Sequence, residues 1–292
     1  MTEIFRIVSG KVVILPYVHH QSDFIRMIAG HNGAVCVVTP DMCRSFLAFA
    51  AGERLLLPGL RAIISVGLPL HAEEKRRLTR HVNPVLYDAD GAAGFGMVSA
   101  LRPDEVPDHA ETVGRPVAGA AVEVVDTNGH ILPPGAAGHL RCSGPTMAQG
   151  LLAEEQAGPS GESCRNGYYY TGDIAAPGQN GFLTLKGRSN DLIHRHGQEI
   201  HPHQVESAIA AHKLVRAAAV TARPAASGGE AEIVAYVVLS GTLAHHELAR
   251  HCVASLPAAK LPTEIFYTAA LPRTPNGKLD RQAIRALALA PR

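Results

Sequence analysis

Three charged side chains in the second half of the chain have types and settings that suit the binding of a small molecule and chemistry on it. Asp173 follows a Thr-Gly pair, and a carboxylate there can accept hydrogen bonds from two neighbouring hydroxyl groups at once. Arg188 follows a glycine further along, and its rigid donor fork can reinforce such a grip. Lys278 follows a Pro-Asn-Gly turn, from which a loop can deliver one cation to developing negative charge. A lone lysine after Asn-Gly is more often a solvated turn residue, so its interpretation depends on the residues around it.

The whole-chain composition is that of a globular protein and argues against several classes of partner. At 292 residues, 46% of them hydrophobic and 18% charged, the chain can form two domains of ordinary size. No stretch approaches the roughly 20 consecutive apolar residues of a membrane span, and the first residues lack the pattern of an export signal. The net charge is only +1, and residues of both signs are spread along the chain. This pattern predicts neither nucleic-acid nor membrane binding. We therefore expect a cytoplasmic protein.

Cysteine and histidine side chains are the common nitrogen and sulfur ligands of metal ions. The five cysteines have no paired metal spacing, and reduced thiols in a cytoplasm fit them best. Sixteen histidines are present, and four of them cluster at His194, His196, His201 and His203. This cluster lacks the helical i, i+4 spacing of a metal site, so the sequence favours surface histidines and no metal.

The elements that must position these residues change in character along the chain. Up to residue 112, β-branched runs such as 34–38 and 60–66 alternate with amphipathic segments such as 71–81. This alternation predicts an α/β subdomain with a mainly parallel sheet and helices. Turn signals then separate strand-like runs over residues 113–187, which predicts a small β-barrel, with 153–165 as a loop. Residues 188–292 alternate strands and helices and predict an α+β domain.

Several ordered motifs in this second half carry a resemblance to a known superfamily. They are Tyr168–Asp173 (YYYTGD), Gly187–Ile193 (GRSNDLI), Gly197–Pro202 (GQEIHP) and Leu271–Arg281 (LPRTPNGKLDR). Together they resemble the adenylate-forming, or AMP-binding, enzymes, which include acyl- and aryl-CoA synthetases, luciferases and peptide-synthetase adenylation domains. The resemblance implies a truncated adenylate-forming core followed by a C-terminal lid, and ligands of AMP, acyl-adenylate and CoA.

The resemblance also implies roles for individual residues. Asp173 and Arg188 would hold the ribose, and Lys278 would bridge the acyl carboxylate and the α-phosphate as the catalytic lysine. Thr171 and Tyr87 would border the nucleotide. The remaining implied roles are the acyl pocket, beside His19 and Gly67, and the hinge of the lid, at Asn190 and Asp191.

The parts of the family that handle the β- and γ-phosphates have weak or no counterparts. A glycine- and Ser/Thr-rich phosphate loop is expected just before Lys11, and the ten residues there contain none. Relatives carry Tyr-Gly-x-Thr-Glu, with the threonine on phosphate and the glutamate on magnesium, where this chain has Tyr87–Gly91 (YDADG). Asp90 and Gly91 then replace the threonine and the glutamate. Because removing one charge-stabilising group typically costs about 10²–10³ in rate, we expect ATP activation by this chain alone to be negligible.

Three functions remain open at this stage. The chain could be an acyl-transfer enzyme that handles a preformed adenylate or thioester of a small acyl or aryl acid. It could instead be one subunit of a split ligase whose partner carries the phosphate loop, or a non-catalytic scaffold in a pathway that involves a carrier protein. If no partner polypeptide completes the sheet, its uncovered edge would favour a homodimer.

Overall fold

The computed structural model describes residues 2–6, 12–16, 20–67, 70–148, 164–225, 229–274 and 279–290. The chain divides into two compact units. The first unit contains Met1–Ala120 with Asn180–Leu183, and the second contains Ala121–Gln179 with Thr184–Arg292. The finer division at residues 112 and 187 stays a prediction.

The first unit is built on a five-stranded sheet in the order β3-β4-β5-β6-β7, beside a separate two-stranded hairpin of β1 and β2. Its strands are β1 Thr2–Arg6, β2 Val12–Pro16, β3 Val35–Val38, β4 Ala62–Val66, β5 Leu86–Ala92, β6 Gly96–Leu101 and β7 Arg115–Pro116. Its helices are α1 Gln21–Ala29, α2 Pro40–Phe49, α3 Ala72–His81 and α4 Val106–His109. The pairs β3–β4 and β4–β5 are parallel, as predicted, whereas β6 and β7 add antiparallel pairs that the sequence did not indicate.

The hydrophobic core of this sheet lies on one of its faces. Side chains alternate between the two faces of a strand, and the main cluster takes Cys36 and Val38 from β3 together with Ile63 from β4. Residues of α1, α2 and α3 complete the same cluster. On the opposite face, the edge strand leaves Val35 and Val37 exposed by 50% and 63%.

The second unit contains a small antiparallel sheet followed by an α+β lid. The first sheet has the order β10-β11-β9-β8, with β12 also paired to β11, and its strands are β8 Ala121–Val125, β9 Gly138–Ser143, β10 Cys164–Arg165, β11 Tyr168–Pro177 and β12 Leu183–Arg188. The lid has the order β15-β16-β17 and a hairpin of β13 and β14. Its elements are β13 Ile193–Arg195, β14 Gln198–Ile200, α5 Pro202–Ala210, β15 Val215–Arg223, β16 Glu232–Leu239, α6 His245–Ser255, β17 Glu264–Tyr267 and α7 Arg281–Leu289.

Helices cover both faces of the lid sheet. One cluster packs residues of α5 and α6 on Val220 and Val237, and another packs Ile284 of α7 on Ala219 and Val234. The predicted loop over 153–165 needs correction at its end, because residues 164 and 165 form β10 and pair with β11. Polar and glycine-rich sequence concealed this short strand, which depends on its partner rather than on its own pattern.

The five cysteines are present as thiols, and four of them are buried. Burial raises the pKa of Cys36 to about 11 and, against the opposing effect of Ser65, that of Cys43 to about 12. No helix in the described part of the chain is long and apolar enough to cross a membrane. Within the same ranges, no group of three or more histidine, cysteine, aspartate or glutamate side chains is placed to hold a metal ion.

Candidate functional site

The motif around Asp173 lies in a bulge of β11. Pairing of β11 with β9 is regular up to Tyr170 and shifts before it resumes at Ile174, so the intervening residues leave the ladder. Gly172 has a φ of +79°, a backbone conformation that glycine adopts without a steric penalty. The hydroxyl of the buried Thr171 accepts a hydrogen bond of 3.0 Å from the backbone N–H of Asp173. Bulges commonly re-aim side chains at functional sites, and this one orients Asp173.

Arg188, the last residue of β12, completes the pair. Its Nη1 donates to Asp173 Oδ1 over 2.9 Å and to the Thr171 carbonyl over 3.1 Å. Burial opposes the charge of Arg188, but Asp173 outweighs it and raises the pKa of the guanidinium. The Asp173 side chain is 14% exposed and that of Arg188 is 58% exposed. Asp173 Oδ2 makes no hydrogen bond within the described residues, so this oxygen remains able to accept from a ligand.

Aromatic and charged side chains pack along the part of β11 that precedes the bulge. Arg141 of β9 lies over the ring of Tyr168, with its guanidinium carbon 4.1 Å from the ring centroid. The same guanidinium donates to Glu123 over 2.6 and 2.8 Å and to the Tyr170 hydroxyl over 3.1 Å. Tyr168 also donates to Glu123 over 3.2 Å. These contacts hold three neighbouring strands together directly behind the bulge.

The predicted hinge follows Arg188 without a break. Ser189–Asp191 form one 3-10 turn, and the Ser189 hydroxyl donates to the Gly172 carbonyl over 3.1 Å. Asp191 is bound by arginines of α7, at 2.7 Å from Arg285 and 3.5 Å from Arg281. Asn190 and Asp191 directly follow Arg188 of the Asp173–Arg188 pair, and their role as the hinge stays a prediction.

Two predicted residues lie outside the described residues: Lys278 and His19. The base of the Lys278 loop is described. Arg273 and Leu279 form an antiparallel bridge across it, and the backbone N–H of Asp280 donates to the Pro272 carbonyl over 3.0 Å.

The predicted residues Tyr87 and Gly67 belong to the first unit. Tyr87 lies on β5, and its neighbour Asp88 is buried against Lys75 of α3, with 2.7 Å between Asp88 Oδ2 and Lys75 Nζ. The lysine also donates to the Thr112 carbonyl over 2.7 Å. Gly67 follows β4 with a φ of +109°, where a side chain would be strained.

Sequence reasoning missed the residues that support the site rather than form it. Arg281 appeared within a motif, but its partners Asp191 and Glu206 could not be inferred. Arg285 carries no motif, although its spacing of four residues from Arg281 places both on one face of α7. The charged sequence of α3 predicts that Lys75 is an exposed surface residue. Only its pairing with Asp88 in the structure explains why it is buried.

The fold and these motifs agree with comparisons to known proteins. Residues 3–152 match the family described as AMP-binding enzyme, and residues 204–278 match the AMP-binding enzyme C-terminal domain. The chain belongs to the AMP-binding enzyme family, and its relatives include proteins named as a long-chain-fatty-acid–CoA ligase and a 2-succinylbenzoate–CoA ligase.

Relatives of known name are longer than this chain. The acetyl-coenzyme A synthetase of Pyrobaculum arsenaticum is 32% identical over 281 residues, which cover 90% of this chain and 41% of the relative. The 2-succinylbenzoate–CoA ligase of Bacillus cereus is 25% identical, over 95% of this chain and 56% of the relative. Among solved structures, the amide bond synthetase McbA from Marinactinospora thermotolerans has a TM-score of 0.84 at 24% identity, covering 94% of this chain and 56% of that protein. The chain thus spans about half the length of these relatives.

Proposed function

We propose that this protein binds an acyl- or aryl-adenylate and passes the acyl group to an acceptor, without activating the acid with ATP on its own. In this step the acceptor thiol or amine attacks the acyl carbon and a thioester or amide bond forms. The bond from the acyl carbon to the phosphate oxygen breaks, AMP leaves, and the acceptor gives up its proton. CoA, a carrier-protein thiol or an amine would serve as the acceptor, in the cytoplasm.

The observation that carries this proposal is the Asp173–Arg188 pair in the β11 bulge. One carboxylate oxygen is bound by Arg188 at 2.9 Å, and the other has no partner within the described residues. A carboxylate held in this way can accept from the two hydroxyls of a ribose with charge-assisted hydrogen bonds. Lys278 is proposed as the cation that stabilises charge on the reacting carboxyl and phosphate groups.

The absence of ATP activation is proposed from the segment after Tyr87. The threonine and glutamate that relatives place on phosphate and magnesium are replaced here by Asp90 and Gly91. Asp88 is held in its buried ion pair with Lys75, and β5 pairs with β6 through these residues with a shift of register between Asp90 and Gly91. A further carboxylate at Asp90 would repel phosphate unless a cation lay between them.

Calorimetric titration with a non-hydrolysable acyl-adenylate mimic, AMP, CoA and ATP with Mg²⁺ tests this function. We expect the mimic to bind and ATP to release no heat of binding. Asp173→Ala should weaken the mimic about 100-fold, because charged hydrogen bonds contribute roughly 1.5–3 kcal/mol each. Glu247→Ala, on the exposed surface of α6, is the matched control and should bind normally.

Formation of a thioester from preformed acyl-adenylate and CoA, lost in Lys278→Ala, would support the transfer step. ATP-dependent adenylate formation by the purified chain would overturn the proposal. Lack of binding by all four ligands would instead favour a scaffold.

The exposed face of β3 supports a second candidate, a subunit of a split ligase. Strands of parallel sheets are normally covered on both faces, yet Val35 and Val37 are half or more exposed on the face opposite the helices. The chain spans about half the length of these relatives, and the ten residues before Lys11 contain no glycine- and Ser/Thr-rich phosphate loop. The proposed occupant is a polypeptide that carries such a loop.

Affinity capture from the source organism tests the second candidate with wild type and Val35→Asp/Val37→Asp. Support requires that the captured protein contain the glycine- and Ser/Thr-rich phosphate loop and that the double variant lose it. A homodimer that forms through this face and disappears in the double variant would reject the split ligase and support the homodimer instead.

A further inference from the structure

The lid has a surface cleft of its own, apart from the Asp173–Arg188 pair. This lid cleft has a volume of about 540 Å³ and lies between the turn that follows α5 and the first turns of α6. Leu214 and Leu243 line it and also pack in the core of the lid, so that core fixes its position. A cavity of this size can hold a small organic molecule.

Two cationic side chains line the lid cleft without a protein partner. Lys213 and Arg250 are both exposed there, and neither side chain makes a hydrogen bond or an ion pair within the described residues. By contrast, Arg223 and Arg281 of the same lid are each paired with a carboxylate. The charges of Lys213 and Arg250 therefore remain available to an anionic ligand.

Two half-buried histidines line the cleft beside these cations. The Leu214 backbone N–H donates to His212 Nδ1 over 3.3 Å, so a neutral His212 carries its proton on Nε2. His251 Nε2 donates to the Ala208 carbonyl over 2.8 Å, because a carbonyl oxygen can only accept. The two rings meet edge to face, with their centroids 5.2 Å apart. The Nε2–H of His212, which has no partner in the part of the chain that the structure describes, is thus a third donor for a ligand.

Glu247 limits the negative charge that the cleft can accept. It lines the cleft from α6, three residues before Arg250, but the two side chains form no ion pair in the described ranges. Two cations and one carboxylate leave a net charge of +1 on the lining residues while the histidines are neutral. A ligand with several phosphates would be repelled by this carboxylate, so one anionic group fits better.

We propose that the lid cleft binds a small organic molecule through one phosphate monoester group. Lys213 and Arg250 neutralise the phosphate, and the Nε2–H of His212 donates to it. The volume of the cleft leaves room for an organic part beside the phosphate, in contact with Leu214 and Leu243. This site does not rest on the proposed acyl transfer, because it shares no residue with the Asp173–Arg188 pair.

The three donors favour a phosphate over a carboxylate. A phosphate monoester has three terminal oxygens and a charge of about −1.5 to −2 at neutral pH, whereas a carboxylate has two oxygens and one charge. A carboxylate would therefore leave one donor of the cleft without an acceptor and one cation without a counter-charge. Acetate should accordingly bind more weakly than a phosphate monoester.

A chemical-shift titration by NMR with glycerol 3-phosphate, at constant ionic strength, tests this site. We expect saturable shifts of the backbone amides at residues 212–214 and 247–251, and none with glycerol. Lys213→Gln and Arg250→Gln should each weaken binding about tenfold, because each removes a charge-assisted hydrogen bond. Glu247→Gln should tighten binding about threefold, because it removes a like charge.

Arg216→Gln is the matched control, since Arg216 is exposed on β15 and does not line the cleft. It should bind glycerol 3-phosphate as wild type does. An equal loss in this control, or shifts that never saturate, would overturn the site. Inorganic phosphate that binds as tightly as glycerol 3-phosphate would reject the organic part of the ligand, and acetate that does so would reject the phosphate.

The variant Asp173→Ala separates this inference from the proposed function. It should bind glycerol 3-phosphate as wild type does, and Lys213→Gln should bind the adenylate mimic normally. Loss of glycerol 3-phosphate binding in Asp173→Ala would place the phosphate at the Asp173–Arg188 pair and overturn the lid cleft. If the mimic fails to bind wild type while the cleft titrates as expected, the proposed function fails and the cleft stands.

Discussion

Each of the two units pairs a carboxylate with a cation, and the two pairs differ sharply in exposure. Asp88 and Lys75 in the first unit meet at 2.7 Å, with side chains 4% and 2% exposed. Asp173 and Arg188 in the second unit meet at 2.9 Å, with side chains 14% and 58% exposed. The first pair lies inside regular structure, between a helix and a strand, whereas the second lies in a bulge.

This difference separates a structural ion pair from one that can serve a ligand. A buried charge needs its partner, because the pair has given up its hydration and neither member can turn to solvent. A half-exposed pair contributes little to folding and can exchange contacts with an incoming molecule. The first unit thus has a structural pair beside Asp90 and Gly91, whereas the pair of the second unit is exposed enough to serve as the proposed ribose site.

The largest expected effect comes from removing one member of the buried pair. Lys75→Met should lower the free energy of unfolding of the first unit by about 3–5 kcal/mol, because Asp88 would remain buried and uncompensated. Hydrogen exchange of β5 amides measures this unit separately. The double variant Lys75→Met/Asp88→Leu should recover most of the loss. Equal loss in the single and double variants would show that the pair is not the cause.

A smaller effect is expected from Gly172→Ala in the bulge. The φ of +79° at this residue is unfavourable for alanine, and the added Cβ would lie 3.4 Å from Arg188 Nη2. We therefore expect the free energy of unfolding to fall by about 1–2 kcal/mol. Binding of the adenylate mimic should weaken as well, which calorimetry measures. Gly181→Ala is the backbone control, since its φ of +76° is similar and its added Cβ meets no neighbouring atom.

Arg188→Lys should weaken ligand binding while leaving folding stability nearly unchanged. Lysine keeps the charge but cannot reach both the Thr171 carbonyl and Asp173 with a planar fork. We expect affinity for the mimic to fall about five- to tenfold, while the melting temperature moves little because the pair is half exposed. A large loss of stability with normal affinity would reverse the roles assigned to the two pairs.

The dependence of folding stability on pH should be the smallest of these effects. As the pH falls, the second unit should begin to lose stability at a higher pH than the first. Burial lowers the pKa of His201, which Glu199 opposes only in part. Below the ordinary value of 6.5, the unfolded chain binds a proton that the folded lid resists, so stability falls as the pH drops. Hydrogen exchange of lid amides between pH 7.5 and 5.5 measures this, and His201→Phe should flatten the dependence.

The first unit should keep its stability to a lower pH than the second. Burial alone would raise the pKa of Glu74, but hydrogen bonds and charge from Arg44 outweigh it and lower that pKa. The stabilisation by Glu74 is therefore present above the ordinary value of 4.5 and is lost as the pH falls below it. A first unit that weakens already near pH 6 would contradict this assignment.

Local sequence patterns predicted most of the helices and strands, but they did not predict contacts between residues far apart in the chain. Pro40 after Thr39 marks the start of α2, in which Phe46 packs into the core. Motifs located Asp173 and Arg188 because glycine and strand signals surround them. Arg285 and Asp191 lie 94 positions apart, and no periodicity connects them. The bulge was also unpredictable, because it exists only relative to the register of β9.

The burial of the thiols has a practical consequence for spectroscopy. With four cysteines buried and Cys164 only partly so, a mild maleimide reaction should attach one fluorophore at β10 without any substitution. Because β10 pairs with β11, that dye would lie on the sheet that carries the bulge at Asp173, the proposed adenylate site. The native chain therefore already has an attachment point for a reporter of ligand binding.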